Sequence, residues 1–380
     1  MKNEVQIKSD IITWAIARAG FDLQEFLIKY PKVSAWIDNK KNPTIRQLED
    51  FSKKVYLPFG YLFLNEPPRE NFPISFFRTG KGETKDVSIN VRDTVLLLKK
   101  RQEWLSEFLE NNDYAKLDFV GKYNENDSHQ EIVKDIRKTL NLKEDWAKSF
   151  KTWDETLNYF VKRMEDVRII TSFNGVVNNS NRRAISVEEC RGFVLVDKFV
   201  PFLFVNNKDA KSAQVFTIAH ELAHIWLGKS AGFDLSGLMP NDDPLELLCD
   251  RVAAEFLVPS LLFKDHWNIE SNLEKNITDL GKQFKVSPIV IGRRALEMKL
   301  INKKDFFSFY NTYIKSLNKV QKVKASGGNP YFTMKKRVSL KFVAFVNSAL
   351  KQNLLTYKDA YKLTSMKGST YSKFINKFDL

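Results

Sequence analysis

The sequence predicts an α+β protein, mostly helical, in which a small mixed sheet packs against one helix that carries two histidines. Three observations predict it. Helix-like stretches cover most of the 380 residues. Strand-like runs are confined to residues 167–206. The helical segment that follows them contains His220-Glu221-Leu222-Ala223-His224. A hydrophobic content of 43% with 30 phenylalanines is enough for two or three domains with real cores.

Residues 1–65 read as short helices, with helix-like stretches at Ile11 to Ala19, Leu23 to Lys29 and Ile45 to Val55. Pro43-Thr44 looks like a helix start. Pro58 and the Pro67-Pro68 pair punctuate the end, and Phe72-Pro73 continues a linker. Residues 88–111 are amphipathic and predict one long helix, with Val95, Leu96, Leu98, Trp104, Leu105 and Phe108 available for burial. Residues 130–165 add further helices.

The β-rich part has three runs: Arg168 to Phe173, Gly192 to Val196, and Pro201 to Asn206. Asn207 and Asp209 supply helix-start residues after them, and Gly228 supplies a stop. Between these signals Val215, Ile218, Leu222 and Ile225 form an apolar stripe at helical spacing. On such a helix residues i and i+4 share a face, so His220 and His224 can point two imidazoles at one ion. Glu221 stands beside that ion, where a general base is needed.

A second segment completes the set. Glu246 lies within Glu246-Leu-Leu-Cys249-Asp250-Arg-Val-Ala-Ala-Glu-Phe-Leu-Val-Pro259. A third histidine at the spacing used by some zinc proteases is absent, because Leu227 and Ser230 occupy the relevant positions. A carboxylate third ligand, Glu246, is the better reading. Two histidines and a carboxylate with an open fourth position describe a hydrolytic Zn2+ site rather than a closed structural one. Asp250, one helical turn after Glu246, can accept the N–H of a ligand histidine and fix its tautomer. Cys249 reads as a packed thiol. A sheet edge beside the metal helix can hold an extended peptide by strand addition. For stabilising the developing oxyanion, His266, Arg191, Arg182 and Arg183 are all candidates, and nothing in the sequence chooses among them.

Residues 271–300 are helical again, and Ser326-Gly327-Gly328-Asn329-Pro330 marks a loop before a basic tail. Residues 311–380 hold thirteen lysines and Arg337 against Asp359 and Asp379, so twelve of the fourteen net positive charges lie in the last seventy residues. Such a module suggests a polyanion or an acidic protein partner. Tyr357 to Tyr371 has a weak helix-turn-helix pattern, and Lys335, Lys336, Arg337, Lys358, Lys362 and Lys367 are the candidate nucleic-acid contacts. Two cysteines, Cys190 and Cys249, give no disulfide framework. The first residues are unlike a signal peptide, and no run of about 18 apolar residues occurs. The expectation is a cytoplasmic protein with no membrane span.

With these residues in hand, the chain resembles the ImmA/IrrE family of metallo-endopeptidases with an N-terminal XRE-like region. The most specific segments are Ala213 to Gly228 and Glu246 to Pro259; Pro58 to Leu64 and Gly327 to Tyr331 also look like family signatures. The resemblance implies a zincin-like core with a gluzincin-like site. It divides the chain into an XRE-like helix-turn-helix domain at 1–70, a metallopeptidase domain at 71–310 and a basic helical module at 311–380. It implies a regulatory endopeptidase that cuts a partner protein such as a helix-turn-helix repressor and thereby controls transcription. The alternative it implies is the antitoxin of a toxin–antitoxin pair, which binds a PIN-like toxin encoded nearby and DNA, with a structural or latent zinc site. Two departures stand out. Asp250 occupies a position where the family most often has Asn, and the second-ring contact survives that change. Phe26 to Trp36 is about one helical turn too short for a full helix-turn-helix and contains Pro31, which puts DNA reading by this region in doubt.

Overall fold

Four short helices form the N-terminal part, one more than the three stretches read from the sequence. In the computed structural model, which describes residues 3–68, 75–76, 87–233, 243–319 and 329–380, these are α1 (Ser9–Arg18), α2 (Leu23–Lys29), α3 (Lys32–Ile37) and α4 (Ile45–Lys54). Thr44 caps α4 in a reciprocal capping box with Gln47, as the Pro43-Thr44 pair suggests. Pro31 stands at the N-cap of α3, because it has no N–H with which to continue α2. Ile11, Ile12, Ala15 and Ile16 of α1 bury against Leu48, Phe51 and Val55.

Chain contacts divide the protein into two compact units, residues 1–73 with 86–96 and residues 74–85 with 97–380. The four helices above form most of the first. Phe72-Pro73 and Ser326-Gly327-Gly328 lie outside the described residues. The basic tail expected as a separate module is grouped with the preceding residues in the second unit.

In the second unit the long helix α5 (Ile89–Asn111), from Leu97 onward, is followed by α6 (His129–Leu140) and α7 (Trp153–Asp166). The sheet comprises β1 (Ser75–Phe76), β2 (Ile170–Asn174), β5 (Gly192–Leu195), β6 (Phe202–Asn206) and β7 (Ala231–Phe233), while β3 (Val176–Val177) and β4 (Ser180–Ala184) form a separate hairpin. The order is β1-β7-β5-β6-β2. β1 pairs parallel with β7 and β2 parallel with β6, whereas β5 is antiparallel to both of its neighbours. The sheet is therefore mixed, as expected for the α+β class. The strand-like runs at 168–173, 192–196 and 201–206 correspond to β2, β5 and β6. The two-residue and three-residue strands carry too little pattern to be read from sequence.

Every residue of β6 is buried. Leu203 and Val205 join the core beneath α8 (Lys211–Leu227), and Phe202 points the other way, edge-on to Phe342. Burial on both faces explains why β6 reads as a continuous apolar run instead of an alternating one. From α5, Gln102 donates to the carbonyls of Leu195 and Val200, at 2.7 and 3.2 Å, and ties that helix to the sheet.

The chain continues through α9 (Pro244–Leu257), α10 (Ser260–His266), α11 (Leu273–Phe284), α12 (Pro288–Glu297) and α13 (Lys303–Lys319). The tail is helical: α14 (Pro330–Val338), α15 (Leu340–Lys351), α16 (Tyr357–Thr364) and α17 (Gly368–Phe378). Asn329 caps α14 and Pro330 opens it, so this part of the expected loop is a helix start. α14 lies along β2, where Ser172 donates to the Arg337 carbonyl at 2.7 Å. Among the described residues no helix is long and apolar enough to cross a membrane.

Candidate metal centre

The centre is built where two helices meet. α8 is buried on all sides from Gln214 to Leu227, so it is a core helix. It starts at Lys211 with Ala210 at its N-cap. Asp209, expected among the start residues, instead accepts from the Ala210 N–H at 2.8 Å and faces Arg191 at 3.6 Å. Gly228 ends the helix in the left-handed region at φ +70°. The same glycine lets the chain pass Gly121, since a Cβ at position 228 would lie 2.9 Å from the Gly121 Cα. α9 starts with Asp243 accepting from the N–H groups of Leu245 and Glu246, with Pro244 as its first residue. This start places Glu246 in the first turn of α9, one turn ahead of Asp250.

His220, His224 and Glu246 converge. The Nε2 atoms of His220 and His224 are 3.2 Å apart. His220 Nε2 is 3.1 Å from Glu246 Oε2, and His224 Nε2 is 3.4 Å from Glu246 Oε1. Atoms held tetrahedrally at about 2.0–2.1 Å from one ion are separated by about 3.3 Å. The two imidazole nitrogens lie close to that spacing, each is 3.1–3.4 Å from one oxygen of the Glu246 carboxylate, and the donor set of two imidazoles and a carboxylate suits zinc. Asp250 Oδ1 lies 3.0 Å from His220 Nδ1, which leaves Nε2 of that ring to face the other ligands.

The electrostatics fit a cation as well. Glu221 is fully buried, and among the described residues neither of its carboxylate oxygens has a hydrogen-bond partner. Burial, with Glu246 adding to it against the opposing pull of His220, pushes its carboxyl up to about 8. Burial would raise Glu246 too, but the two imidazoles override it and hold that carboxylate well below its usual range. Burial depresses His220, yet Asp250 and Glu246 outweigh it and carry the ring up to about 10. An orphaned buried carboxylate beside an imidazole pair and a second carboxylate is an arrangement that a divalent ion would complete. Cys249 is fully buried outside the converging group, and burial pushes its thiol far up.

The other candidates make contacts of their own. His266 is exposed, and its Nδ1 bonds to the Leu262 carbonyl of its own helix at 2.7 Å. Arg191 faces Asp209, and Arg182 and Arg183 lie on β4. The six basic candidates fall into two groups. On α14, Lys336 pairs with Asp154 at 3.6 Å, Lys335 stands over the Phe378 ring, and Arg337 donates to Asn179 at 2.8 Å. Lys358, Lys362 and Lys367 are exposed on α16 and at the start of α17, with Lys362 3.3 Å from Asp359. Ser365, at the end of α16 in the left-handed region, separates α16 from α17.

Gly192 was not singled out by the sequence reading. It begins β5 directly over α8, where a Cβ would stand 2.4 Å from Thr217 Cγ2 and 2.8 Å from the Phe204 carbonyl oxygen. A glycine at the start of an apolar strand run is the available signal for such a close approach.

Comparison with known families agrees with this geometry. Residues 179–296 match the peptidase family model described as the IrrE N-terminal-like domain. That match supports a metallopeptidase of the ImmA/IrrE type and spans both helices of the centre. Residues 338–377 match a model described as a domain of unknown function (DUF8813). No curated protein matches the chain.

Proposed function

We propose that this chain is a zinc-dependent regulatory endopeptidase that cuts a partner protein, such as a helix-turn-helix repressor, and so controls transcription. One observation carries the reading: the Nε2 atoms of His220 and His224 stand 3.2 Å apart and each lies 3.1–3.4 Å from one oxygen of the Glu246 carboxylate at the junction of α8 and α9, beside a buried carboxylate with no hydrogen-bond partner among the described residues. The peptidase family match over the same residues supports it.

His220, His224 and Glu246 would hold the ion. When bound, the ion supplies Lewis-acid polarisation of the scissile carbonyl and of the attacking water. Glu221 accepts the proton that the water loses and passes it to the leaving amine. Its burial suits that task, because desolvation strengthens its affinity for a proton. Asp250 positions His220 through the Nδ1 contact and so keeps Nε2 directed at the ion site.

The test is intact-mass analysis of the proteins that copurify from the native locus with the wild type and with Glu221→Gln. A partner cut with the wild type and whole with the variant supports the reading. A partner equally whole or equally cut with both overturns it.

A further inference from the structure

Beside the contact between α14 and β2, the second unit has a cleft of about 530 Å³. Phe332, Lys335 and Lys336 of α14 line one side, and Lys162 of α7 with Lys211 and Gln214 of α8 line the other. Lys335 and Lys336, read from sequence as nucleic-acid contacts, therefore face a small concavity. Its volume falls in the range of small-molecule sites, roughly 300–1,000 Å³, and is too small for a duplex.

Three independent features point to a ligand. The first is charge. Four lysines line the cleft against one carboxylate, Glu165, which is itself engaged by Ser339 and Thr171 at 2.7 and 3.2 Å. Lys211 and Lys336 share a single oxygen, Asp154 Oδ1, at 3.2 and 3.6 Å. Two ammonium groups thus converge on one counter-charge. The second is the start of α8, seventeen residues long, which no side chain caps and whose first residue is Lys211. Its first-turn N–H groups and dipole favour an anion. The third is Gln214, only 1% exposed. Its Nε2 donates to the carbonyls of Asn207 and Asp209 at 3.3 and 2.7 Å, which fixes the amide orientation. Among the described residues its buried Oε1 is left with no partner, and such an acceptor calls for a donor. The remaining wall is apolar and aromatic, with Phe173 and Leu157.

We propose that this cleft binds a small organic phosphate of the nucleotide class. The phosphate sits on Lys211, Lys336 and the start of α8; an N–H or O–H of the ligand donates to Gln214 Oε1; the flat ring lies on the apolar wall. The site stands nine residues before His220 on the same helix. Its existence does not depend on the peptidase reading, because the test is of binding alone.

The experiment is isothermal titration of the full chain with adenosine monophosphate, with adenosine and inorganic phosphate as separate probes. Saturable one-to-one binding of the nucleotide, tighter than either probe, is expected. Lys211→Gln and Lys336→Gln should each weaken it about tenfold, the effect of losing one charge-assisted hydrogen bond. Circular dichroism confirms that each variant is folded, and the methionine change at the same position, Lys211→Met or Lys336→Met, replaces any that is not. Absence of saturable binding, or binding unchanged in the folded variants, overturns the proposal. Inorganic phosphate binding as tightly as the nucleotide overturns the organic part of it. Duplex DNA that displaces the nucleotide, and is itself lost with the same lysines, assigns them to a nucleic-acid interface and overturns it too.

Discussion

Gly192 on β5 lies against Glu221 on α8: a Cβ on Gly192 would stand 3.6 Å from Glu221 Oε1. That distance is an ordinary contact, but the same Cβ would collide with Thr217 Cγ2 at 2.4 Å. Gly192→Ala should therefore push β5 from α8 and destabilise the protein by about 1–3 kcal/mol, the usual cost of overpacking. Denaturant unfolding checks it. Adding Thr217→Ser removes the nearer methyl and should recover part of the loss, the Phe204 carbonyl at 2.8 Å accounting for what remains. An unaltered midpoint for Gly192→Ala would show that the strand can retreat without cost.

Zinc should stabilise the folded chain through His220, His224 and Glu246. At a free concentration 100 times its dissociation constant, linkage predicts about 2.7 kcal/mol. Glu221→Gln keeps all three ligands, so its melting temperature should rise with zinc as the wild type's does. His224→Ala removes one ligand and should lose most of that rise. A zinc response that survives in His224→Ala would place the ion elsewhere.

Asp250 Oδ1 lies 3.0 Å from His220 Nδ1, so it would act on a bound ion through that ring. Asp250→Ala should lower zinc affinity about 10–100-fold, as loss of such an outer contact commonly does. Asp250→Asn retains an acceptor oxygen and should cost less. Competition with a chelator of known affinity gives both values, and equal losses in the two variants would contradict the acceptor role.

Much of this centre is legible in the sequence because its parts are local. His220 and His224 are one turn apart, and Glu246 and Asp250 are one turn apart, so helix periodicity alone puts each pair on one face. What brings the two pairs together is not local. It depends on α8 being buried on all sides, on the Asp243-Pro244 start that sets where α9 begins, and on the glycine contacts at 192 and between 121 and 228. None of these carries a periodic signal. The fold divides the same way. The long apolar runs of β2, β5 and β6 declare themselves, whereas β1, β4 and β7 are short or polar and are strands only by virtue of their neighbours. The tail lysines show the limit of reading charge: Lys336 and Arg337 belong to a basic run in sequence, but Asp154 and Asn179 engage them in the fold.

Glu165 gives a pH dependence remote from the metal ligands. Its carboxyl is buried where α7 meets β2 and the start of α15, accepting from Ser339 and Thr171. Burial raises its pKa above the ordinary value of 4.5, although both hydroxyls and the nearby Lys335 and Lys341 oppose the shift. A carboxyl raised on folding holds its proton more tightly in the native state. Its favourable contribution is therefore complete below the unfolded pKa and is lost as pH rises through the folded one. Glu165→Gln has no such titration. The stability of the wild type relative to Glu165→Gln should fall as pH rises above about 4.5 and level off once the pH has passed the raised folded value. Urea unfolding of both proteins across that range measures it. A difference that grows with pH instead would mean that the two hydroxyls and the lysines, rather than burial, set the charge of this carboxyl.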